Sequence, residues 1–249
     1  MRRIVFICCA LTALLSACGT GTPRLPGGLT LEEHVLARAP SSDSFTFEPL
    51  EGTQEGVLAR HASERSQRIP LPIVTVNGNP AMEAGWNDGR LTAEVFTDPL
   101  QPPAQIVQVS HAGEVIFSAS AGMPSPLLPL QGLWTYDGHW ALEIVLATPE
   151  VWAGQVYIDG ESVNEAQGYE EAFGFQTLSG KPFYFFRQAG QLGFSYDGEG
   201  ASLPYDNIPH YLCCSESVLN PQQAREMTAF FAQRGNDWFY VELGNFSGQ

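Results

Sequence analysis

The sequence predicts an all-β chain of antiparallel hairpin units with one C-terminal α-helix packed on the core. From about Pro70 onward, short runs of β-branched and aromatic residues are separated by Gly, Asn and Asp, which is typical of many short strands. Asn-Gly and Asp-Gly dipeptides between these runs favour tight hairpin turns, because Asn, Asp and Gly tolerate a left-handed backbone. The first residues of these dipeptides are Asn77, Asp88, Asp137, Asp159 and Asp197. Residues 45–249 are therefore predicted to form a single β-rich domain.

The first 17 residues predict an export signal. Arg2 and Arg3 precede an apolar run from Ile4 to Leu15 that is too short to span a bilayer as a helix. The run ends in Leu15-Ser16-Ala17-Cys18, which resembles the lipobox of bacterial lipoproteins. This resemblance implies cleavage before Cys18, lipid attachment at Cys18 and anchoring in the cell envelope. Because Gly19 replaces the aspartate that retains such proteins at the inner membrane, the outer membrane is expected if the host has one. An ordinary signal peptide with an incidental cysteine is the alternative.

Residues 18–44 predict a lipidated, flexible tether that contains a short helix. The stretch is rich in Gly, Pro, Thr and Ser, as spacers between an anchor and a domain often are. Its one periodic piece is "TLEEHVLARA", in which Thr30 and Glu33 fit a capping box before Leu31, Val35 and Leu36.

The charge of the chain argues against nucleic acid as a partner. It holds 27 acidic and 12 basic residues, a net charge of −15 that becomes more negative when Arg2 and Arg3 leave with the signal. Nucleic-acid binding relies on Lys and Arg to displace counterions from phosphates. The expected partners are the membrane, through the lipid, and a protein, peptide or glycan ligand. No cofactor is predicted.

A weak internal repeat suggests how the hairpins are arranged. Trp86-Asn-Asp-Gly, Trp134-Thr-Tyr-Asp-Gly and Phe194-Ser-Tyr-Asp-Gly follow one another, with their aspartates 49 and 60 residues apart. That spacing is close to four strands per unit. The unit resembles a blade of the WD40-like β-propellers of bacterial envelope proteins, and this resemblance implies a propeller-like fold. A β-sandwich is the alternative, because antiparallel hairpins with one apolar face give the same alternation.

The C-terminal helix is predicted over residues 221–234. Asn220 is placed as the N-cap and Pro221 at the first helical position, while Gly235 ends the helix. The apolar face of this helix would consist of Ala224, Met227, Phe230 and Phe231. A final strand is predicted over residues 237–243.

Cys213 and Cys214 are the only cysteines of the mature chain that could pair, and His210 lies just before them. Four interpretations remain open: two separate thiols with at least one buried, a vicinal disulfide, metal binding by His210 with both cysteines and with or without Asp206, and a cysteine nucleophile with His210 as its base. Consecutive α-carbons lie about 3.8 Å apart, so a disulfide between neighbouring residues is strained.

Two further groups of residues could carry a function. Asp197, Glu199, Asp206 and Asn207 supply oxygen ligands that a Ca²⁺ ion could gather, although their spacing matches no known calcium loop. The aromatic run Phe183–Phe186 indicates a central strand buried on both faces, or else an aromatic platform for a sugar or peptide.

Taken together, these features predict a non-catalytic binding or scaffold lipoprotein for a protein, peptide or glycan ligand. The alternative is an extracytoplasmic hydrolase that uses His210 with Cys213 or Cys214, or the carboxylates near Asp197. The sequence contains no Gly-x-Ser-x-Gly, His-Glu-x-x-His or phosphate-loop motif that would favour an enzyme.

Overall fold

The computed structural model describes residues 25–36, 73–211 and 220–245. In these ranges the chain forms seventeen strands, distributed over three open sheets, and one short α-helix, α1 (Val163–Gln167). Strand pairing is antiparallel apart from one parallel bridge. The predicted all-β class with antiparallel hairpins is therefore confirmed. No helix in this part of the chain is long and apolar enough to cross a membrane.

The largest sheet takes up the first half of the described chain. Its strands are β2 (Val74–Val76), β3 (Asn79–Trp86), β4 (Gly89–Thr97), β5 (Gln105–His111), β6 (Glu114–Gly122), β7 (Leu130–Tyr136), β8 (His139–Ala147), β9 (Trp152–Ile158) and β10 (Glu161–Ser162). Strands β2 to β6 form one meander, and β7 and β9 pair with the two sides of β8. A single bridge between Gly122 and Ala147 joins the two parts. A Cβ atom at Gly122 would lie 2.1 Å from the Ala147 carbonyl oxygen, so the close approach requires glycine.

Two four-stranded sheets complete the fold. One follows the chain in order through β11 (Glu171–Leu178), β12 (Lys181–Gln188), β13 (Gln191–Tyr196) and β14 (Glu199–Ser202). The other combines β1 (Thr30–Leu36) with β15 (Gln222–Gln223), β16 (Met227–Arg234) and β17 (Asp237–Gly244), in the order β1-β17-β16-β15. The final strand predicted over residues 237–243 is confirmed by β17.

Most of the predicted hairpin turns lie where the dipeptides placed them. Asn77, Asp137, Asp159 and Asp197 each adopt a left-handed backbone, with φ between 45° and 52°. After β3 the left-handed residue is Asn87, one position before the predicted Asp88, because Asn tolerates this conformation as readily as Asp.

The aromatic run lies in β12 and is a strand buried on both faces, as one of its two interpretations predicted. Phe183 and Phe185 are fully buried in a core that they share with Phe173, Phe194 and Phe230. Tyr184 points into a second cluster with Phe175 and Ala141. Side chains alternate between the two faces of a strand, so consecutive aromatic residues serve two separate cores.

The predicted C-terminal helix over residues 221–234 is wrong, because this segment forms β15 and β16. Alternate residues of β16 enter different cores: Phe230 and Ala232 enter one, and Ala229 and Phe231 the other. Asn220 does not cap a helix. Its amide side chain accepts the Phe231 N–H at 2.9 Å and donates to the Phe231 carbonyl at 3.1 Å, as a strand partner would.

The predicted helix in the tether is also wrong, since Thr30–Leu36 forms β1 and pairs with β17 over seven positions. Glu33, assigned above to a capping box, instead receives two hydrogen bonds from Arg234, the shorter at 3.1 Å, and one from the Tyr205 hydroxyl at 2.7 Å. The ordered sheet therefore includes residues that the predicted boundary at residue 44 assigned to the tether. Cys18, the signal segment and residues 37–72 lie outside the described residues.

Candidate functional site

His210, the histidine singled out in the sequence, lies in the segment 208–211 that follows β14. Its Nδ1 is 2.5 Å from the Ile208 carbonyl oxygen and its Nε2 is 3.0 Å from Glu171 Oε1. The imidazole stacks on Phe173 with ring centroids 3.6 Å apart and planes 3° from parallel. Only 9% of the His210 side chain is exposed, so the ring is held on three sides.

These contacts determine where the protons of His210 lie. A carbonyl oxygen only accepts hydrogen bonds, so Nδ1 carries a hydrogen and donates to Ile208. Nε2 forms a hydrogen bond with Glu171, so protein groups occupy both ring nitrogens. A general base needs a free nitrogen lone pair within reach of the proton that it removes. In this arrangement the imidazole of His210 serves as a link between the segment 208–211 and β11.

Glu171, at the start of β11, binds more than the histidine. Its Oε1 also accepts the Gly154 N–H of β9 at 3.1 Å. Burial raises the pKa of this carboxyl. The hydrogen bond and charge of His210 lower the pKa, as do the Gly154 N–H and the nearby Arg187, and the result lies below the ordinary value. Glu171 is therefore ionised at neutral pH and connects β9, β11 and the segment 208–211.

Glu143 lies fully buried in β8 and accepts three hydrogen bonds. The Gly174 N–H donates at 3.0 Å, the Phe175 N–H at 2.6 Å, and the Tyr211 hydroxyl completes the set. The register between β11 and β12 shifts between Phe173 and Gln176, so the two N–H groups at this irregularity point to Glu143. Burial nevertheless raises the pKa of Glu143.

Tyr211 has a left-handed backbone with φ of 52°, which is rare for an aromatic residue. Burial, together with the Glu143 carboxylate, raises the pKa of its hydroxyl well above the ordinary value. The hydroxyl therefore stays protonated and donates to Glu143. Cys213 and Cys214, two and three residues further along the chain, lie outside the described residues. The disulfide, nucleophile and metal interpretations that depend on them therefore stay predictions.

The structure does not gather the predicted calcium ligands. Asp197 forms an ion pair with Lys181 at 3.2 Å, and Asp206 Oδ2 accepts the Gly235 N–H at 2.6 Å. Asn207 forms a backbone bridge with Gln233, and the exposed Glu199 pairs with Tyr196 at the start of β14. Within residues 25–36, 73–211 and 220–245, no three His, Cys, Asp or Glu side chains are grouped so as to hold a metal ion.

A cleft of about 500 Å³, here called the tryptophan cleft, opens where β3, β7, β11 and the segment beginning at β15 meet. Trp134 from β7 and Gln176 from β11 line it, with Glu83, Thr135 and Arg225 around them. Three different sheets thus contribute to one concave surface. The cleft could not be predicted from the sequence, because its walls come from strands far apart in the chain.

A second cleft of about 600 Å³, here called the tyrosine cleft, lies beside the first. Tyr136, Tyr184, His139, Asp159 and Lys181 line it, and Gly180 lines both clefts. His139 Nδ1 lies 2.6 Å from Asp159 Oδ2, and this hydrogen bond, followed by the charge of Asp159, raises the pKa of the imidazole.

The residues that sequence reasoning missed had weak signals. Glu143 stands alone in the apolar run "WALEIVLA", and a single carboxylate inside a buried strand indicates a polar partner from elsewhere. Glu171 had only the signal of a paired carboxylate next to Glu170, and Gln176 had none. In comparisons with protein-family models, with curated proteins and with solved structures, the chain matched none.

Proposed function

We propose that this protein is an envelope-anchored lipoprotein whose folded part is a non-catalytic binding module, with the tryptophan cleft as its ligand site. The observation that carries the proposal is the cleft itself, an open space of about 500 Å³ with an indole and several polar groups in its wall. Ligand sites are typically concave, largely apolar surfaces of about 300–1,000 Å³ with a few polar groups for orientation. The ligand is a protein, peptide or glycan, and the lipid at Cys18 holds the module at the membrane.

The contacts of His210 support a binding role over a hydrolytic one. Ile208 and Glu171 occupy both ring nitrogens, and Phe173 covers one face of the ring. For His210 to activate Cys213 or Cys214 as a nucleophile, one of these hydrogen bonds would have to break. Asp197 is likewise occupied, because it is paired with Lys181.

We also propose a layered arrangement of sheets, closer to a β-sandwich than to propeller blades. Leu91 and Val107 of the β2–β6 meander share one apolar core with Leu133 and Leu142 of β7 and β8. Such a core would lie between two parts of one sheet that pack against each other, as a core lies between the two layers of a β-sandwich. A propeller blade, by contrast, is a four-stranded sheet, whereas the largest sheet here has nine strands.

The binding role and the hydrolase alternative are separated by one set of assays on the intact protein. Chromogenic ester, peptide and glycoside substrates are offered to the wild type, to His210→Asn and to Cys213→Ser/Cys214→Ser. We expect no turnover above background in any of the three. Turnover by the wild type that is lost in His210→Asn would overturn the proposed function. Calorimetric titration with soluble fragments of the host envelope should in turn give saturable binding that Trp134→Phe weakens.

A further inference from the structure

Gln176, which lines the tryptophan cleft, has a buried hydrogen-bond acceptor without a partner among the described residues. Gln176 is only 2% exposed, and its Nε2 donates to the Met227 carbonyl at 3.4 Å. Its Oε1 has no hydrogen-bond partner within residues 25–36, 73–211 and 220–245. Turning the amide over would place Oε1 against the Met227 carbonyl, so this orientation is the better of the two. A buried acceptor without a donor is unfavourable, and native structures contain few of them. The wall of the cleft therefore favours a ligand that donates a hydrogen bond.

The indole of Trp134 is a rigid part of the same wall. A Cβ atom at Gly132 would lie within 2.4 Å of three atoms of the indole, so the ring packs directly over the glycine backbone. On the β11 side it contacts Phe175, with ring centroids 5.0 Å apart. A half-buried aromatic ring held in this way presents a flat apolar surface next to polar groups, which suits a ligand with both an apolar face and hydroxyl groups.

The charges around the tryptophan cleft are balanced, which favours a neutral ligand. Glu83 is paired with Arg90 at 3.0 Å. Glu226 accepts a hydrogen bond from the Ser179 hydroxyl and lies next to Arg225. The remaining polar groups are neutral: the hydroxyls of Thr135 and Thr177 and the amides of Gln176 and Gln223. A strongly acidic chain would also repel an anionic ligand.

The tyrosine cleft extends the same surface. Thr135 lines one cleft and Tyr136 the other, and Gly180 borders both. The second cleft adds two tyrosine side chains, and carboxylates such as that of Asp159 can accept hydrogen bonds from hydroxyls. A ligand that filled both clefts would be linear and would carry hydroxyl groups along its length.

We propose that the two clefts together bind a linear, uncharged oligosaccharide, with one sugar ring against Trp134 and a sugar hydroxyl donating to Gln176 Oε1. That oxygen is closed to solvent, so the amide turns toward the cleft when the sugar binds. This inference rests on the proposed function and specifies its ligand class. The aromatic platform is thus placed at Trp134, whereas the Phe183–Phe186 run belongs to the largely buried strand β12.

The test is calorimetric titration of the intact protein with three uncharged tetrasaccharides, namely cellotetraose, maltotetraose and N-acetylated chitotetraose. At least one should bind with a Kd of about 1 mM or tighter. Gln176→Leu should weaken that binding at least tenfold, while the melting temperature of the ligand-free variant stays the same or rises because a buried unpaired acceptor has been removed. Gln108→Leu on β5, outside both clefts, is the matched control and should leave the affinity unchanged.

The other outcomes of these titrations decide between the glycan inference and the proposed function. If Gln176→Leu does not fold, Trp134→Phe takes its place and is expected to weaken binding by the same factor. No binding of any of the three sugars at 10 mM, a concentration about tenfold above the expected Kd, would overturn the glycan inference. If an uncharged peptide binds in their place and Gln176→Leu abolishes that binding, the glycan inference fails while the binding function stands. Turnover of any sugar would instead refute the proposed non-catalytic function.

Discussion

At the scale of single residues, Glu143 and Glu171 face the same segment, 208–211, in different electrostatic surroundings. Glu171 has His210 and Arg187 nearby, and its pKa is lowered in spite of burial. Glu143 is fully buried, and the hydrogen bonds from two N–H groups and from Tyr211 only partly offset the effect of burial, so its pKa is raised. The two carboxyls therefore affect stability in opposite directions as the pH changes.

The hydroxyl of Tyr211 stabilises the fold by hydrogen-bonding Glu143. In Tyr211→Phe the carboxyl keeps the N–H groups of Gly174 and Phe175 but loses one donor in a fully buried site. We expect the free energy of unfolding to fall by about 1–3 kcal/mol, measured by urea denaturation at pH 7. The half-buried Tyr157, whose hydroxyl has no hydrogen bond in the described part of the chain, provides the control. Equal losses for Tyr211→Phe and Tyr157→Phe would contradict this role.

The raised pKa of Glu143 makes stability depend on pH. A carboxyl whose pKa is higher in the folded than in the unfolded state adds stability at pH values below its unfolded pKa, and this contribution disappears as the pH rises through the folded pKa. Glu143→Gln removes the titration, while its amide can still accept an N–H and donate to the Tyr211 oxygen.

Relative to wild type, Glu143→Gln should therefore gain stability as the pH is raised from 5 to 8, as measured by urea unfolding at each pH. The exposed Glu161→Gln should follow the wild-type curve. Parallel curves for wild type and Glu143→Gln would show that Glu143 does not titrate in this range.

The residue contacts of the site could not be predicted from the sequence. His210 stood out because it lies near two cysteines, yet its partner Glu171 is 39 residues away. Glu143 and Tyr211 are 68 residues apart. Nothing local in the sequence requires these contacts, because they follow from how β8, β9 and β11 pack against the segment 208–211. The left-handed turn residues, in contrast, depend on local backbone preference and were predicted well.

At the scale of elements, β16 explains why the C-terminal helix was predicted and why the prediction failed. Met227, Phe230 and Phe231 fit one face of a helix, but the same residues also fit a strand that is buried on both sides. Ala229 and Ala232, which a helix would leave on its outer face, are 3% and 0% exposed. Periodicity alone does not separate these cases when a short apolar run is buried all round. The hairpin strands were easier to predict, because Asn-Gly and Asp-Gly turns mark their ends.

Ala229→Glu distinguishes the strand from a helix. In an amphipathic helix with Ala224, Met227 and Phe230 facing inward, position 229 points to solvent and tolerates a glutamate. In β16 it is buried beside Phe231 and Tyr240, so the variant carries an unpaired charge into an apolar cluster. We expect a loss of roughly 3 kcal/mol or more in the free energy of unfolding, or failure to fold. Asn236→Glu in the exposed turn after β16 is the control, and a loss below about 0.5 kcal/mol at both positions would contradict the strand.

At the scale of the whole molecule, the sheets place strands from distant parts of the chain around the two clefts. Chain segments before and after the largest sheet join in one four-stranded sheet, since β1 pairs with β17. Glu33, in β1, receives the hydrogen bonds of Arg234 and of Tyr205 and so ties the N-terminal strand to the C-terminal hairpin. The predicted anchor at Cys18 thus lies twelve residues before β1, so the proposed tether would end no later than Thr30.

The proposed lipid anchor is tested by the cell fraction in which the protein is found. Cys18→Ser removes the predicted lipid acceptor, so under this proposal the protein should shift from the membrane fraction to the soluble fraction of its host. Cys9→Ser, inside the predicted signal, is the matched control and should remain with the membrane. Because the clefts are built from β3, β7, β11 and the β15 segment, oligosaccharide affinity should be the same for the released and the anchored protein. A Cys18→Ser protein that stays with the membrane would show that something other than this lipid holds it there.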